Sequence, residues 1–239
     1  MTEEEVLELT EPTEGSAPPV VLDEEPDEQE KKVTFTTAEG IVLPEIVPSV
    51  PNIAVYPVFE EILRTKCEEV TEEVARSPDM RVHVAYMCCG IYNSQMPGVG
   101  LASNQIGLPV RVIVVDHKWP RTNEPKPKVL LNPVILSSEG EQDSREGCLS
   151  VPLDYRQVVK RAQKTVVGGI TLDWEPIEFE SEGFEAAVIQ HEIDHLNGLL
   201  FIDHLSNLKR DMYRRKLLKY ARRQYKAHKR IEREKAKAL

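Results

Sequence analysis

The segment with the clearest chemical meaning is His191-Glu192-Ile193-Asp194-His195, an HExxH motif. A spacing of four residues on a helix puts both imidazoles on one face, about 5 to 6 Å apart at their Cβ atoms. Two neutral imidazoles can then share one metal ion while the glutamate reaches a water bound to it. The motif therefore predicts a hydrolytic metal site, with Asp194 as a solvated or salt-bridged residue rather than a ligand. The alternative is two unrelated surface histidines, since five-residue patterns also arise by chance.

A catalytic site of this kind needs a third protein ligand and an open position for water. Metzincin proteases continue the motif to a third histidine, and Phe201 occupies that position here. His204 follows three residues later, but Gly198 is expected to end the helix and leaves the direction of His204 undetermined. Thermolysin-like enzymes use a downstream glutamate, and Glu232 and Glu234 both lie in a strongly basic segment. Neither protease pattern is complete.

Two further segments accompany the HExxH motif: Gly98–Gln105 has the sequence GVGLASNQ, and Glu146–Ser150 has the sequence EGCLS. Together with QHEIDH at Gln190–His195, they resemble, in order and spacing, the three signature motifs of the peptide deformylases, GxGxAAxQ, EGCLS and QHExDH. The resemblance runs through most of residues 52–207. One position departs from the pattern, because Ser103 stands where the family has a second alanine. This exchange of one small residue for another removes no reactive group.

The resemblance implies that Cys148 is the missing third ligand, so that Cys148, His191 and His195 hold one ion. A thiolate ligand must be deprotonated, and a bound metal enforces that state. The ion of the family is usually Fe²⁺, and zinc, nickel or cobalt can occupy the same ligands. The alternative for Cys148 is an inert buried thiol. The remaining cysteines match no motif and are expected to be small buried apolar residues: Cys67, Cys88 and Cys89.

The implied reaction is hydrolysis of the formyl amide on the N-terminal methionine of nascent polypeptides, which releases formate. The metal lowers the pKa of its bound water towards about 7. Glu192 would take the water proton and return it to the leaving amine. The family places two donors at the developing oxyanion, the side-chain amide of Gln105 and the backbone N–H of Leu149. Without the motif, Gln105 would be interpreted as a surface polar residue.

The resemblance also implies two supporting features. Glu146 would pair with a downstream arginine and orient the adjacent ligand; Arg161 is the nearest match and Arg156 is its competitor. The substrate methionine would enter an apolar pocket, and the alternative is that the same residues belong to the core. The residues assigned to this pocket are Val99, Gly100, Leu149, Ala187 and Val188.

Several segments must form the scaffold that positions these residues. Phe184–Leu196 has no internal Gly or Pro and precedes Asn197-Gly198, which predicts a helix. Apolar residues have helical spacing from Val58 to Val70 and again from Val82 to Ile91. Short β-branched runs bounded by turn residues predict strands: Val110–Val115, Val129–Leu131, Val158–Val159, Thr165–Val167 and Ile177–Phe179. The resemblance implies an α+β fold in which antiparallel strands pack around a central metal-binding HExxH helix, with N-terminal helices and a long C-terminal helix.

The chain has 239 residues, 41% of them hydrophobic and 29% charged, which is enough for one sizeable core. No stretch approaches the roughly 18 consecutive apolar residues of a membrane helix, and the first residues are acidic where a leader would be basic. The four cysteines form no CxxC pair. These features predict a reduced, cytoplasmic protein without a membrane partner.

Three regions are expected from composition. Residues 1–50 are acidic and proline-rich, which predicts a disordered tail. Residues 51–207 hold the motifs and predict a metallohydrolase catalytic domain, and residues 208–239 lack Gly and Pro and predict a basic C-terminal helix. Residues 1–40 carry 13 acids against two lysines, a balance of −11. Residues 208–239 carry 14 Lys or Arg against three acids, a balance of +11.

The basic helix has two interpretations. Its apolar residues are sparse, so it can be a solvated helix whose charge aids solubility. These residues are Leu208, Met212, Leu217, Tyr220, Ala221 and Ile231. The resemblance implies instead a helix that docks on the ribosome, on rRNA or ribosomal protein, near the nascent-chain exit. We also hypothesise that the acidic residues 1–40 cover this helix until RNA displaces them.

Three functional classes are compatible with parts of these patterns. The first is an active deformylase, which the three motifs favour. The second is a protease or another zincin-like hydrolase, which Phe201 and the EGCLS segment oppose. The third is an inactive binding protein on the same fold, which the joint presence of Cys148, Glu192, Gln105 and the two histidines opposes.

Overall fold

The structure is a computed structural model that describes residues 32–46, 61–92, 98–151 and 155–238. Within these residues the helices are α1 (Glu72–Ala75), α2 (Pro78–Ile91), α3 (Trp119–Thr122), α4 (Gly183–Leu196) and α5 (Asn207–Ala238). The strands are β1 (Gly100–Ala102), β2 (Val112–Val115), β3 (Lys128–Glu139), β4 (Gln142–Glu146), β5 (Gln157–Arg161), β6 (Lys164–Ile170) and β7 (Pro176–Glu182). Short 3-10 turns span Glu61–Leu63, Ser103–Ile106 and Phe201–His204.

An antiparallel sheet with the strand order β1-β2-β3-β6-β7 forms the centre of the fold, and β4 and β5 form a separate antiparallel pair. Successive side chains of a strand point to opposite faces. In β2, Val112 and Val114 pack with residues of α2, whereas Ile113 and Val115 pack with residues of α4. The strand is apolar at every position because a helix covers each face of the sheet.

Helix α4 begins one residue before the predicted Phe184 and ends at the predicted Leu196. Its apolar side packs on the sheet through Val188, Ile189, Ile193 and Leu196. Gly198 follows with φ of +75°, and a Cβ atom there would collide with the backbone carbonyl of Arg64. A glycine is therefore required where the chain leaves the helix.

The predicted strands are all present, although their ends differ from the prediction, and two strands were not predicted. Strand β1 has only three residues, too few to show a period. Strand β4 consists of the polar residues QDSRE, and its buried positions are Ser144 and Glu146. Because the inward-facing side chains of β4 are polar, apolar alternation could not reveal it.

Residues 58–60 lie outside the described residues. Over the described part of the segment, the helix predicted from Val58 to Val70 is wrong. A 3-10 turn covers Glu61–Leu63, and the chain then continues through a turn and irregular backbone, with an isolated bridge from Glu68 to Val110. The side-chain amide of Asn132 accepts from the N–H of Val70 and donates to its carbonyl oxygen, both at 2.8 Å. This distant side chain satisfies the backbone that a helix would have paired internally.

The disordered tail predicted for residues 1–50 is also wrong in part. Residues 1–31 and 47–50 lie outside the described residues, but residues 32–46 fold back on themselves through the bridges Val33–Ile46 and Thr36–Val42. Leu43 and Ile46 are 2% and 5% exposed and pack in the cluster that contains α2. The prediction of disorder relied on the acidic composition of residues 1–50 as a whole and therefore did not take these few apolar residues into account.

Helix α5 begins within one residue of the predicted position. Of the apolar residues named from the sequence, Leu217 is buried, and Tyr213, which was not among them, is buried as well. Tyr213 and Leu217 are buried against the turn Phe201–His204, whereas Leu208 and Met212 are exposed. About the first three turns of α5 are thus packed on the region that carries the motifs. The predicted boundary at residue 208 does not separate two independent units.

The burial of the three cysteines outside the motifs can be compared with the expectation from the sequence. Cys67 and Cys88 are buried and Cys89 is half-buried, close to their expected role as buried apolar residues. Burial raises the pKa of the Cys67 and Cys89 thiols to about 11.

Among the residues that the structure describes, we find no helix whose length and apolar character would allow it to cross a membrane.

The packing of residues 32–46 predicts a measurable contribution to stability. Leu43→Ala removes a side chain that is 2% exposed in the core, and should lower the free energy of unfolding by about 2 to 5 kcal/mol. Val42→Ala is the matched control, since Val42 is 64% exposed, and should change it by less than about 0.5 kcal/mol. Urea denaturation of both variants measures the difference. Equal, small effects would show that this segment does not belong to the core.

Candidate active site

Three potential metal donors lie together beneath the sheet. The sulfur of Cys148 and one ring nitrogen each of His191 and His195 are all within 4.8 Å of one another. The histidines are one turn apart on α4, with ring centroids 5.0 Å apart, and the Cys148 sulfur is 3.2 Å from Nε2 of His195. The structure therefore gathers the three residues that the sequence motifs nominated.

A buried carboxylate holds one of these histidines in place. Nδ1 of His191 lies 2.8 Å from Oε2 of Glu146, which leaves Nε2 as the nitrogen available to a metal. The same carboxylate accepts two hydrogen bonds from Arg161, of 2.8 and 2.9 Å. A third guanidinium nitrogen donates to Asp194 at 2.6 Å. Arg161, and not its competitor Arg156, is thus the partner of Glu146.

The cluster is strongly polarised. Burial alone would raise the pKa of Glu146, but Arg161 and His191 outweigh it and hold that pKa at about 2. Burial also opposes a charge on Cys148, yet His195 and His191 hold the pKa of its thiol well below its usual value. Burial opposes a charge on His191, yet the Cys148 sulfur and the Glu146 carboxylate raise its pKa well above the usual value, so the cluster favours positive charge at this position.

Glu192 lies between the two histidines on α4 and is 4% exposed. Its Oε2 atom is buried without a hydrogen-bond partner. A Cβ atom at Gly100 would lie 2.5 Å from Oε1, so only glycine leaves room for this carboxylate. Burial raises the pKa of Glu192 to about 7, against the opposing effect of both histidines. A carboxylate of this kind can both accept and release a proton near neutral pH.

Gln105 is 2% exposed, which excludes its interpretation as a surface residue. Its Oε1 atom accepts a hydrogen bond from the N–H of Ala102 at 2.8 Å. This contact turns Nε2 towards Ser150 Oγ at 3.0 Å and the Cys148 sulfur at 3.6 Å. The amide hydrogens of Gln105 are therefore aimed at the donor cluster.

The residues assigned to the substrate pocket lie on both sides of this cluster. A Cβ atom at Gly100 would lie 2.9 Å from Val188 Cγ1, and Val99 packs in the same apolar cluster as Val188. Leu149 directly follows Cys148 and packs against the cluster that contains α2. Ala187 is buried on α4. Val99, Gly100 and Val188 thus come together beside Glu192.

The alternative third ligand, His204, lies outside the donor cluster. Its Nε2 atom is 2.7 Å from Oδ2 of Asp194, which also pairs with Arg161. Asp194 is therefore salt-bridged, as the sequence predicted. Both residues belong to the outer part of the network around Glu146.

Sequence reasoning missed the aromatic residues beside the cluster. Phe201, considered only as a missing metzincin ligand, stacks on His191 with ring centroids 6.1 Å apart. Tyr155 and Tyr213 stack on each other beyond it, at 4.2 Å. The spacing of Tyr213 and Leu217 by four residues was an available signal, but 14 basic residues in the same segment obscured it.

Comparisons with known proteins agree with this site. The sequence model of the family described as polypeptide deformylase matches residues 50–211. A peptide deformylase of Thermodesulfovibrio yellowstonii is 41% identical over 165 residues, which cover 69% of this chain and 94% of that protein. The crystal structure of a peptide deformylase from Legionella pneumophila matches with a TM-score of 0.62 and 39% identity, over 71% of this chain and 95% of that one. A Met-Ala-Ser-bound peptide deformylase from Acinetobacter baumannii matches with a TM-score of 0.57 and 34% identity, over 63% and 96%.

The pairing of Glu146 predicts a large difference between the two candidate arginines. Arg161→Met leaves Glu146 and Asp194 without their cation, so the free energy of unfolding should fall by about 3 to 5 kcal/mol. Metal affinity should fall about 10- to 100-fold, because His191 loses its fixed orientation. Arg156→Met is the matched comparison and should have a much smaller effect. Urea denaturation and chelator competition measure both quantities, and equal losses in the two variants would contradict the assignment.

The stability that the Glu146–Arg161 pair contributes should decrease at low pH. The pKa of Glu146 is about 2 in the folded protein and 4.5 as the ordinary value, so its ionisation stabilises the fold above about pH 4.5. This stabilisation is lost as the pH falls towards 2. In Arg161→Met the loss between these pH values should be smaller than in the unmodified protein.

Proposed function

The chain belongs to the peptide deformylase family, and we propose that it removes the formyl group from the N-terminal formyl-methionine of nascent polypeptides, releasing formate, at the Cys148-His191-His195 cluster. The observation that carries this proposal is the buried three-donor cluster next to the unpartnered carboxylate oxygen of Glu192. A metzincin-type protease is disfavoured because Phe201 packs against His191 instead of offering a ligand. The complete donor set disfavours an inactive binding protein.

Cys148, His191 and His195 would hold one metal ion and leave a position for water, as three-ligand catalytic sites do. The polarised surroundings of His191 suit a cation, and Nδ1 of His195 and Oε2 of Glu192 are buried polar atoms without partners. When bound, such an ion lowers the pKa of a coordinated water and supplies hydroxide at neutral pH. We propose Fe²⁺, the usual ion of the family, with zinc, nickel or cobalt able to take the same donors.

Glu192 would act as the acid-base residue. It accepts a proton from the attacking water and returns it to the nitrogen of the leaving methionine. A pKa of about 7 suits both steps, since the carboxylate is then partly ionised at neutral pH. Gly100 keeps the carboxylate close to the strand because no side chain separates them.

Gln105 and Leu149 would stabilise the oxyanion that forms from the formyl carbonyl. The side-chain amide of Gln105 is held by Ala102 and directed at the cluster. The backbone N–H of Leu149 follows immediately after the Cys148 ligand. Donors fixed before the reaction pay no reorganisation cost, and each contributes about 3 to 4 kcal/mol in comparable sites.

The methionine side chain would lie in an apolar pocket beside Glu192, and the lining proposed is Val99, Gly100, Leu149, Ala187 and Val188. Val99 and Val188 already pack together there, next to Gly100. The Acinetobacter baumannii structure carries Met-Ala-Ser. We infer that this chain binds the methionine end of its substrate in the same way.

We further propose that α5 docks on the ribosome, through rRNA or ribosomal protein, which places the enzyme in the cytoplasm where nascent chains emerge. The support is charge: residues 208–239 carry a balance of +11. Residues 32–46 are packed on the core, so the hypothesis of an acidic cover is reduced to residues 1–31. Those residues carry 12 acids against one lysine, a balance of −11.

Removal of the thiolate tests the metal site. Cys148→Ala leaves two protein ligands, so protein loaded anaerobically with Fe²⁺ should retain no stoichiometric metal and release no formate from a formyl-Met peptide. Cys89→Ala, which removes a half-buried thiol outside the cluster, should retain both. Metal analysis and a formate assay give the two readouts. Full metal content in Cys148→Ala would overturn the ligand assignment.

Removal of the acid-base group separates chemistry from metal binding. Glu192→Gln keeps all three ligands and nearly the same shape, so it should bind metal normally while turnover falls about 10²- to 10⁴-fold. Glu185→Gln is the matched control on the same helix, because Glu185 pairs with Lys128 and lies outside the cluster. Unchanged turnover in Glu192→Gln at neutral pH would show that no proton transfer by this residue is needed.

The proposed docking on the ribosome predicts that ribosome binding can be lost while hydrolysis of short peptides is kept. Removing residues 221–239 leaves the buried Tyr213 and Leu217 in place, so hydrolysis of a short formyl-Met peptide should persist while cosedimentation with ribosomes at low salt is lost. Binding of the full chain should weaken by about 0.7 to 0.9 log units per neutralised phosphate for each log unit of salt. Removing residues 1–31 should strengthen binding if they cover the helix. Salt-insensitive binding would exclude anchoring through the charge of α5, and undiminished cosedimentation of the shortened chain would exclude residues 221–239 as the anchor.

A further inference from the structure

The last turn of α4 is held by a side chain from a distant part of the sequence. His195 is the penultimate residue of this helix, and carbonyl groups at the end of a helix have no regular donor within it. The carbonyl oxygen of His195 accepts a hydrogen bond from Nδ2 of Asn104 at 2.8 Å and one from the N–H of Gly198 at 3.1 Å. Asn104 lies 91 positions earlier, in the 3-10 turn Ser103–Ile106. It therefore fixes the backbone of a proposed metal ligand from outside α4.

The same turn carries Gln105, the proposed oxyanion donor. Nε2 of Gln105 lies 3.6 Å from the Cys148 sulfur. Two consecutive side chains of one turn thus contact two of the three metal donors, Asn104 at His195 and Gln105 at Cys148. Because consecutive Cα atoms are a fixed distance of about 3.8 Å apart, a shift of one residue also shifts the other. The hydrogen bond to His195 is therefore also a constraint on Gln105.

The amide of Asn104 is fully buried, and its surroundings define its orientation. Nδ2 faces two carbonyl oxygens, that of His195 at 2.8 Å and that of Ile62 at 3.3 Å. A flipped amide would place Oδ1, an acceptor, against both of them. In the observed orientation Oδ1 has no hydrogen-bond partner in the described part of the chain. Leucine would fill a similar space without an unpaired acceptor, so the donated hydrogen bonds, rather than packing, distinguish asparagine here.

The two histidines of the donor cluster are held in different ways. Nδ1 of His191 lies 2.8 Å from a carboxylate oxygen of Glu146. Nδ1 of His195, by contrast, is buried without a partner among the residues that the structure describes. The orientation of a ligand histidine normally depends on a hydrogen bond at its second ring nitrogen. For His195 the hydrogen bond from Asn104 to the main chain supplies a constraint that the ring lacks.

We propose that Asn104 is a positioning residue of the active site, whose amide holds the backbone of His195 against the turn that carries Gln105. This one hydrogen bond would set the separation between the metal donors and the oxyanion donor. The inference rests on the proposed roles of His195 and Gln105. Loss of the amide would let α4 and the turn move apart, and a small displacement of positioned groups has a large effect on rate. Asn104 would act through these two neighbours.

The test uses the full chain loaded with Co²⁺. Asn104→Leu removes the amide and fills its space, so cobalt should be lost to a chelator about 10-fold faster and kcat for a formyl-Met peptide should fall about 10-fold. KM should change less than about two-fold, because the oxyanion forms only in the transition state. Ser103→Ala is the matched control. It removes a buried hydroxyl from the same turn, which contacts His83 and the carbonyl of Leu108, and should leave the rate of cobalt loss, kcat and KM unchanged.

A second variant separates positioning from stability. Asn104→Ala lacks the amide and also leaves a void, so urea denaturation should show a lower free energy of unfolding than in Asn104→Leu. Cobalt should nevertheless be lost at the same rate from both variants, because both lack the same hydrogen bond. Rates of cobalt loss that follow the free energy of unfolding would overturn the inference. It would also be overturned if Asn104→Leu behaved like Ser103→Ala.

The outcomes distinguish this inference from the proposed function. An unmodified protein that holds no stoichiometric cobalt would overturn the ligand set, and with it this inference. If the unmodified protein holds cobalt and releases formate, the proposed function stands. A rise in KM with unchanged kcat in Asn104→Leu would then overturn the link between Asn104 and the oxyanion donor alone.

Discussion

A buried carboxylate keeps its negative charge only where neighbouring groups compensate it, and around Glu146 that requirement joins three parts of the chain. Glu146 ends β4, Arg161 ends β5, and His191 lies on α4. In each strand alternate residues face inwards, so the buried side of this small sheet carries Ser144 and Glu146 from β4, with Val159 and Arg161 from β5. Displacing any partner leaves a buried charge uncompensated. The proposed ligand His191 therefore keeps its orientation through this charge balance, to which the stacking of Phe201 on its ring adds.

The rest of the site depends on a sheet that is covered on both faces. Residues of β2 alternate between the cluster with α2 and the cluster with α4. Helix α4 therefore packs on a sheet whose other face is covered by α2. Gly100 then allows β1 to approach Glu192 without an intervening side chain. Rigid elements position the donor cluster, and the absence of a Cβ atom at Gly100 leaves space for Glu192, the proposed acid-base residue.

The parts that sequence analysis predicted correctly are those determined by neighbours along the chain. The helix at 184–196 follows from local spacing and its glycine end, and two of the three motifs contain the Cys and His residues that the structure brings together. The errors have a common cause in contacts between distant residues. Asn132 pairs the backbone of Val70 from 62 positions away and so replaces the hydrogen bonds of a helix, and Leu43 is buried in the cluster that contains α2. No local pattern contains such information, because the partner's position depends on the completed fold.

Helix α5 is a second case in which contacts with distant residues were not evident from the local sequence. Composition makes the whole segment 208–239 a solvated basic helix, and Leu208 and Met212 are indeed exposed. Tyr213 and Leu217 are one turn apart and face the opposite way, into the cluster that also contacts Cys148. These two residues pack the first turns of α5 on that cluster, and an aromatic ring such as that of Tyr213 buries a large area. The buried face of its first turns is therefore constrained by packing against the region that carries the proposed metal ligands, whereas the exposed face carries basic residues such as Arg215 and Lys216, on whose charge the proposed ribosome docking depends.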